Sequence, residues 1–243
     1  MKTRLLPFCI PALLLSSLAA QDEAKPAAAG ADADAKPKKP AVKKISDTEF
    51  ELGEIKFDGK KREVRIPAQV NATGDRDIIE YVLVHESGKT HESLLKTAIS
   101  PLDLQVVFKL LSFKSGKGSL FDNFYPPGQL PDPEPRGEAI DVLVTWEGGE
   151  EYLATTLVRD LDADSHMEKM PWYHNGSEIV DGVFEAEREG SVIALYLDPY
   201  AMLNLSHPRA ADDENWFPIS KNIPAYETPV TVILRPAAAE KED

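Results

Sequence analysis

Residues 85–93 read His-Glu-Ser-Gly-Lys-Thr-His-Glu-Ser, the densest run of chemically capable side chains in the chain. Neutral imidazole and carboxylate together make a competent ligand set for zinc or another divalent transition metal. A histidine beside a carboxylate can also serve as general acid or base. Convergence depends on the turn. A two-residue hairpin loop at Ser87-Gly88 would pair Glu86 with Lys89 and send His85 and His91 to opposite faces of the sheet. A three-residue loop at Glu86-Ser87-Gly88 would pair His85 with Lys89 and leave both histidines on one face as diagonal neighbours, about 7–8 Å apart. The second turn puts Gly88 at the left-handed position where glycine is most needed, and is the expected one. His91, Glu92 and Ser93, with His85, are thus candidate metal or ligand contacts. The competing reading gives His91 a structural hydrogen bond at a strand end, with Glu92 and Ser93 satisfying local backbone. The spacing is not His-Glu-x-x-His on a helix, so the zinc-protease argument does not apply.

Two further clusters invite functional readings. Asp160-Leu161-Asp162-Ala163-Asp164 alternates carboxylates as a calcium loop does, but Ser165 stands where glycine is required and Pro171 where a bidentate Glu belongs. A solvated acidic loop is expected there. Trp172-Tyr173-His174-Asn175-Gly176-Ser177 places aromatics and a histidine beside a glycine turn. Trp172 and Tyr173 could line a ligand pocket or anchor a hairpin on the core, anchoring being the better reading, and His174 could join the histidines upstream. Nucleophile elbows, phosphate loops and dinucleotide fingerprints are absent from the sequence.

These residues must be held by a mainly β framework. Phe50, Leu52, Ile55 and Phe57 lead to a turn at Asp58-Gly59-Lys60, after which residues 63–66 alternate charged and apolar. Residues 78–84 are apolar on both faces, as a strand covered on both sides would be. Ser100 followed by Pro101 and Asp103 is a capping signal, and Leu104, Val107, Phe108 and Leu111 continue at helical spacing, predicting a helix over about 100–113. Residues 125–135 are rich in proline and predict an exposed, stiff loop. Residues 140–146 and 152–158 around Gly148-Gly149 predict a hairpin, with further strands at 183–184, 192–197 and 230–234 and a short helix after Asp198-Pro199. The expected class is α+β: a mostly antiparallel or mixed sheet, one packing helix and long loops.

The ends set the context. Lys2 and Arg4 precede an apolar run over residues 5–15, broken by Pro7 and Pro11, and small residues follow at Ala19 and Ala20. This is the layout of a secretory signal peptide over residues 1–20, with an apolar run too short for a membrane span. The sole cysteine, Cys9, lies inside it and lacks the small neighbours of a lipidated cysteine. A mature chain would therefore have no disulfide, no thiolate ligand and no iron–sulfur cluster. Residues 21–45 are dominated by Ala, Lys, Pro and Asp and read as a disordered tether; residues 237–243 read as a frayed tail. One domain is expected over 46–236. The formal charge of −14 makes nucleic acid and anionic membrane surfaces poor partners.

Glu80-Tyr81-Val82-Leu83-Val84 followed by Gly88-Lys89-Thr90-His91-Glu92-Ser93-Leu94 resembles the YdjY-domain proteins. So do residues 61–68, and residues 172–177 and 194–199 are similar to the second half of exported members. The resemblance spans most of residues 50–236. It implies no established activity. Some such relatives are described as ferredoxin-like with iron–sulfur binding inferred from cysteines, a property that cannot carry over to a chain without them. Of the family pattern, His91, Glu92 and Ser93 are the positions with evident chemical potential. The expectation is an exported, periplasmic or extracellular, non-catalytic binding or structural module that takes a protein, glycan or peptide partner. The alternative is a divalent-metal-binding or metal-dependent hydrolytic domain centred on His91 and Glu92.

Overall fold

The computed structural model describes residues 41–116, 137–205 and 207–238. The expected signal peptide, most of the tether, the proline-rich loop and residues 239–243 lie outside them.

The chain enters through a short meander. β1 (Lys43–Lys44) pairs with β2 (Glu49–Leu52), β2 with β3 (Ile55–Asp58), and β3 with the first half of β4 (Glu63–Val70), all antiparallel. Lys43 and Lys44, within the segment read as a tether, pair with Glu51 and Phe50 and extend the β2 edge. Gly53 turns the first hairpin with φ of 59°, and the Asp58 carboxylate accepts from the Lys60 and Lys61 amides to close the second.

Next come β5 (Tyr81–His85), β6 (Ser93–Thr97), α1 (Pro101–Leu110), β7 (Ala139–Thr145) and β8 (Glu151–Leu153). β9 (Val158–Asp160), β10 (Ser165–His166) and β11 (Trp172–His174) follow, then β12 (Ile179–Val180), β13 (Val183–Phe184) and the short helix α2 (Glu185–Glu189). β14 (Ser191–Ala194), β15 (Leu203–Leu205), β16 (Trp216–Pro218) and β17 (Pro229–Pro236) complete the chain. The hairpin expected around Gly148-Gly149 forms as β7–β8, but its second arm breaks into a 3-10 turn at Ala154–Leu157. No helix follows Asp198-Pro199; a turn closes there, with the Ala201 amide donating to the Asp198 carbonyl.

Of the antiparallel and mixed sheets expected, the mixed one forms, and it is closed. Neighbours run β4-β17-β7-β11-β15-β14-β5-β6, and β6 returns to pair with β4. The result is an eight-stranded barrel in a mostly β protein, which corrects the open α+β layers expected from the sequence. Its interior is filled by apolar side chains, as a barrel of this strand number requires; Val64, Ile66, Val82, Leu95, Val142, Ile193, Leu203 and Val232 are all buried.

Closure depends on β4 changing partners. Along one edge it pairs continuously with β17; along the other, β3 covers 63–65 and β6 takes over at Gln69. Pro67 sits in the gap. A proline is tolerated there because no ladder hydrogen bond is demanded of its missing N–H. Its carbonyl is satisfied by the Thr97 hydroxyl at 2.6 Å.

β5 and β6 are parallel, Tyr81 opposite Ser93 and His85 opposite Thr97. Both hairpin alternatives expected at residues 85–91 are therefore wrong. The residues between His85 and Ser93 form a crossover that runs back along the strand, far shorter than the dozen or more usual for a parallel connection. Gly88 makes it feasible, not through a left-handed turn but through close backbone approach. A Cβ there would lie 2.6 Å from the Glu189 carbonyl oxygen and 3.0 Å from the Gly190 Cα. Gly190, at φ of 72°, ends α2 and accepts from the His85 amide.

α1 starts as its sequence dictates: the Ser100 hydroxyl accepts from the Asp103 amide and Pro101 opens the first turn. It ends at Leu110, a few residues before the expected limit. Leu104, Val107 and Phe108 face the core. Arg62, before β4, donates to the Leu111 and Ser112 carbonyls and pairs with Glu138, before β7, at 2.7 and 3.0 Å. Phe108 meets His174, at the end of β11, edge to face. α1 therefore covers one end of the barrel. The small sheet β10-β9-β16 sits by the other, the Trp216 carbonyl accepting from the Ile79 amide just ahead of β5.

Candidate functional site

The structure disperses the residues singled out by their chemistry. His85 ends β5, its Nδ1 2.7 Å from the Ser87 hydroxyl. His91 lies at the opposite end of the β5–β6 pair, on a 3-10 turn, 79% exposed and beside Glu92 at 3.4 Å. Ser93 is buried, and Asn71 clamps this turn by donating to the Thr90 and Ser93 carbonyls. His174 is a core residue on β11, its Nδ1 donating to the Met202 carbonyl at 3.3 Å. Burial lowers its pKa to about 4, so it is neutral at pH 7. His85, His91 and His174 do not converge, and among the described residues no three His, Cys, Asp or Glu side chains form a metal-holding group. Trp172 is fully buried and donates through Nε1 to the Ala194 carbonyl at 2.8 Å, so it anchors the core. Tyr173, half-buried, points to the other face of β11.

Residues not read as site candidates hold the crossover in place. The Tyr81 phenol donates to the Asp198 carboxylate at 2.8 Å and accepts from the Lys89 ammonium at 2.6 Å. Asp198 also accepts from the Tyr200 amide, and its own amide and carbonyl are held by Asn204. Burial, and then the Asp198 charge, push the Tyr81 pKa far upward. A phenol held protonated between a cation and an anion is a fastener, not a base or nucleophile. Lys89, the middle of the motif richest in apparent chemistry, thus pins the crossover to the 198–204 loop. Nearby Glu80 has a raised pKa, from burial and then from the Glu92 and Asp213 charges.

Asp160 is likewise structural. Instead of a solvated loop residue it is 2% exposed, accepting from Arg209, from Asn215 Nδ2 at 3.1 Å and from the Ala163 amide. Burial opposes its ionisation, but these donors outweigh burial and its pKa is lowered. His207 faces it at 3.7 Å and packs edge to face on Trp216. Asp162 and Asp164 do remain exposed, as expected.

What is left facing outward is a charged groove of about 470 Å³ on the meander. Strand register builds it. Glu49, Asp58 and Glu63 stand in one cross-strand row; Glu51, Lys56 and Arg65 stand in the next, on the same face. Phe50, Phe57 and Val64 occupy the alternate positions, with Phe57 and Val64 buried beneath. Glu63 and Arg65 extend into a ring of ion pairs with Glu151 and Arg235, at 2.7 to 3.5 Å. Ile45 and Lys61 complete the groove wall. The sequence carried a signal for it: charges at i, i+2 on three successive strands, which shows once the three are seen to pair in register.

The fold and this face define a closed, mixed β-barrel module with an appended charged meander. The YdjY domain model matches residues 55–235, most of the chain, and the protein belongs to the YdjY domain family. The match starts at β3, so Ile45, Glu49, Phe50 and Glu51, four of the ten residues lining the groove, precede the matched region. No curated protein and no solved structure matches the chain. No described helix is long and apolar enough to cross a membrane.

Proposed function

We propose that this protein is an exported, non-catalytic binding module whose contact surface is the charged groove of β2, β3 and β4. The observation that supports the reading is the double row of side chains, Glu49-Asp58-Glu63 and Glu51-Lys56-Arg65, set by strand register around a concavity of about 470 Å³. That volume lies within the range of small-ligand sites, ~300–1,000 Å³. Several side chains with apparent catalytic promise are spent on structure, Lys89 and Tyr81 on the crossover, His174 on the core and Asp160 on the 207–215 loop, while the exposed His91 has only Glu92 beside it. Export is the reading of the basic start, short apolar run and small residues at 2–20.

Lysine footprinting tests the binding role. The full chain is acylated with an amine reagent in the presence of panels of neutral oligosaccharides, acidic oligosaccharides, acidic peptides and basic peptides. At least one panel member should protect Lys56 and Lys61 while leaving Lys109 and Lys221 labelled. Uniform labelling throughout the panels contradicts the assignment.

A further inference from the structure

We infer that the loop over residues 207–215 is an acid-released flap, closed while His207 is neutral and opened when that ring takes up a proton. The loop is fastened at its two ends. His207, Ala210 and Asn215 are buried, while residues 211–214 between them are exposed. The Arg209 amide donates to His207 Nδ1 at 3.1 Å, the Ala210 amide to the His207 carbonyl at 2.9 Å, and the Leu197 amide to the Ala210 carbonyl at 2.7 Å. Asn215 closes the other end. Its Nδ2 donates to Asp160, its backbone carbonyl accepts from the Leu161 amide and its Oδ1 from the Asp162 amide.

The first fastening exists only for the neutral ring. An amide N–H is a donor, so His207 Nδ1 offers its lone pair and the ring proton sits on Nε2. Nε2 lies 3.7 Å from the Asp160 oxygen that also takes the Arg209 guanidinium. A second ring proton would fall on Nδ1 and set one N–H against another. It would also bring imidazolium and guanidinium, like charges, onto a single carboxylate oxygen at a site 5% exposed. Asp160 of β9 and Glu168, after β10, face the ring and favour the cation; Arg209, on the loop itself, opposes it. Trp216 of β16 adds only its edge-to-face ring contact. Burial, the largest influence, and then Arg209 outweigh the two carboxylates, so the closed loop holds His207 below the ordinary histidine value of 6.5. Opening restores that value, and acid therefore drives opening. From pH 6.5 down to the closed-loop pKa, the open population grows by up to about tenfold for each pH unit. Opening uncovers the Trp216 ring and frees the Leu197 amide, next to the Asp198 carboxylate that holds Tyr81.

Amide hydrogen exchange of the full chain at pH 7 and pH 5, each rate divided by its intrinsic value at that pH, tests the inference. Protection of the Arg209, Ala210 and Leu197 amides should fall at least fivefold at pH 5. His207→Asn, whose Oδ1 can accept from the Arg209 amide but takes no proton, should lose less than twofold. His174→Gln, which removes the core histidine instead, should show the same fall as the parent. No fall in the parent, a fall that persists in His207→Asn, or one that vanishes in His174→Gln overturns the inference. A second measurement needs no variant: the Arg209 amide nitrogen shift should follow the His207 ring titration with one midpoint below 6.5. An Arg209 amide that does not respond to that titration overturns the inference as well.

Discussion

His174 couples the core to pH. Its folded pKa, about 4, lies below the ordinary histidine value near 6.5, because burial disfavours the cation. Above pH 6.5 both folded and unfolded states are neutral and the core is at full stability. Between 6.5 and 4 only the unfolded chain takes the proton, so stability falls with pH, by about 3 kcal/mol in all, and this contribution levels off below 4. His207, whose pKa burial also lowers, contributes in the same direction, so urea denaturation at pH 7 and pH 4.5 should show a loss that is smaller in the His174→Gln variant. Equal losses in the two proteins would contradict this account. Tyr81 makes a second test. Tyr81→Phe removes a donor from the buried Asp198 carboxylate and should cost about 1–3 kcal/mol in the same assay. Lys89→Met, which spares that bond and sits partly in solvent, should cost less. The sequence displayed these residues as polar and reactive but not their partners: Tyr81 and Asp198 are separated by 117 positions and Asp160 and Asn215 by 55. No local pattern encodes such pairs.

At the scale of elements, legibility followed local rules. α1 was evident because its cap, its proline and its apolar stripe are all short-range signals, and the structure returns each one. The 86–92 crossover was not. Gly88 looks like a hairpin glycine, and only the presence of Gly190 against it reveals a different need. Gly88→Ala should separate the crossover from the end of α2 and destabilise the protein by roughly 1–3 kcal/mol, since the obstructing atoms are backbone; denaturant midpoints measure this. The α1 cap is also shared across elements. The Glu187 carboxylate of α2 accepts from the Ser100 hydroxyl at 2.8 Å and from the Leu102 amide at 2.9 Å. Glu187→Ala should cost about 1 kcal/mol and speed amide exchange in the first turn of α1. An unchanged exchange rate there would remove Glu187 from the account of that helix.

Taken whole, the molecule is a barrel closed by one strand with two partners on one edge, β4, from whose first half the meander extends. A mixed sheet could be anticipated from the strand patterns; closure could not, because it rests on the two-residue pairing of β4 with β6 and on a proline whose missing N–H falls in a gap. β4 serves both: its end closes the barrel against β6 and its start sets the rows of the groove against β3, so fold and proposed contact surface share one strand. The most direct measurement is amide chemical-shift mapping of the full chain titrated with each of the oligosaccharide and peptide panels. The largest changes should fall on residues 45–65, around Glu49, Lys56, Lys61 and Arg65, with His91 and Glu92 unmoved. Changes centred on His91 and Glu92, or none on the meander, would contradict the account.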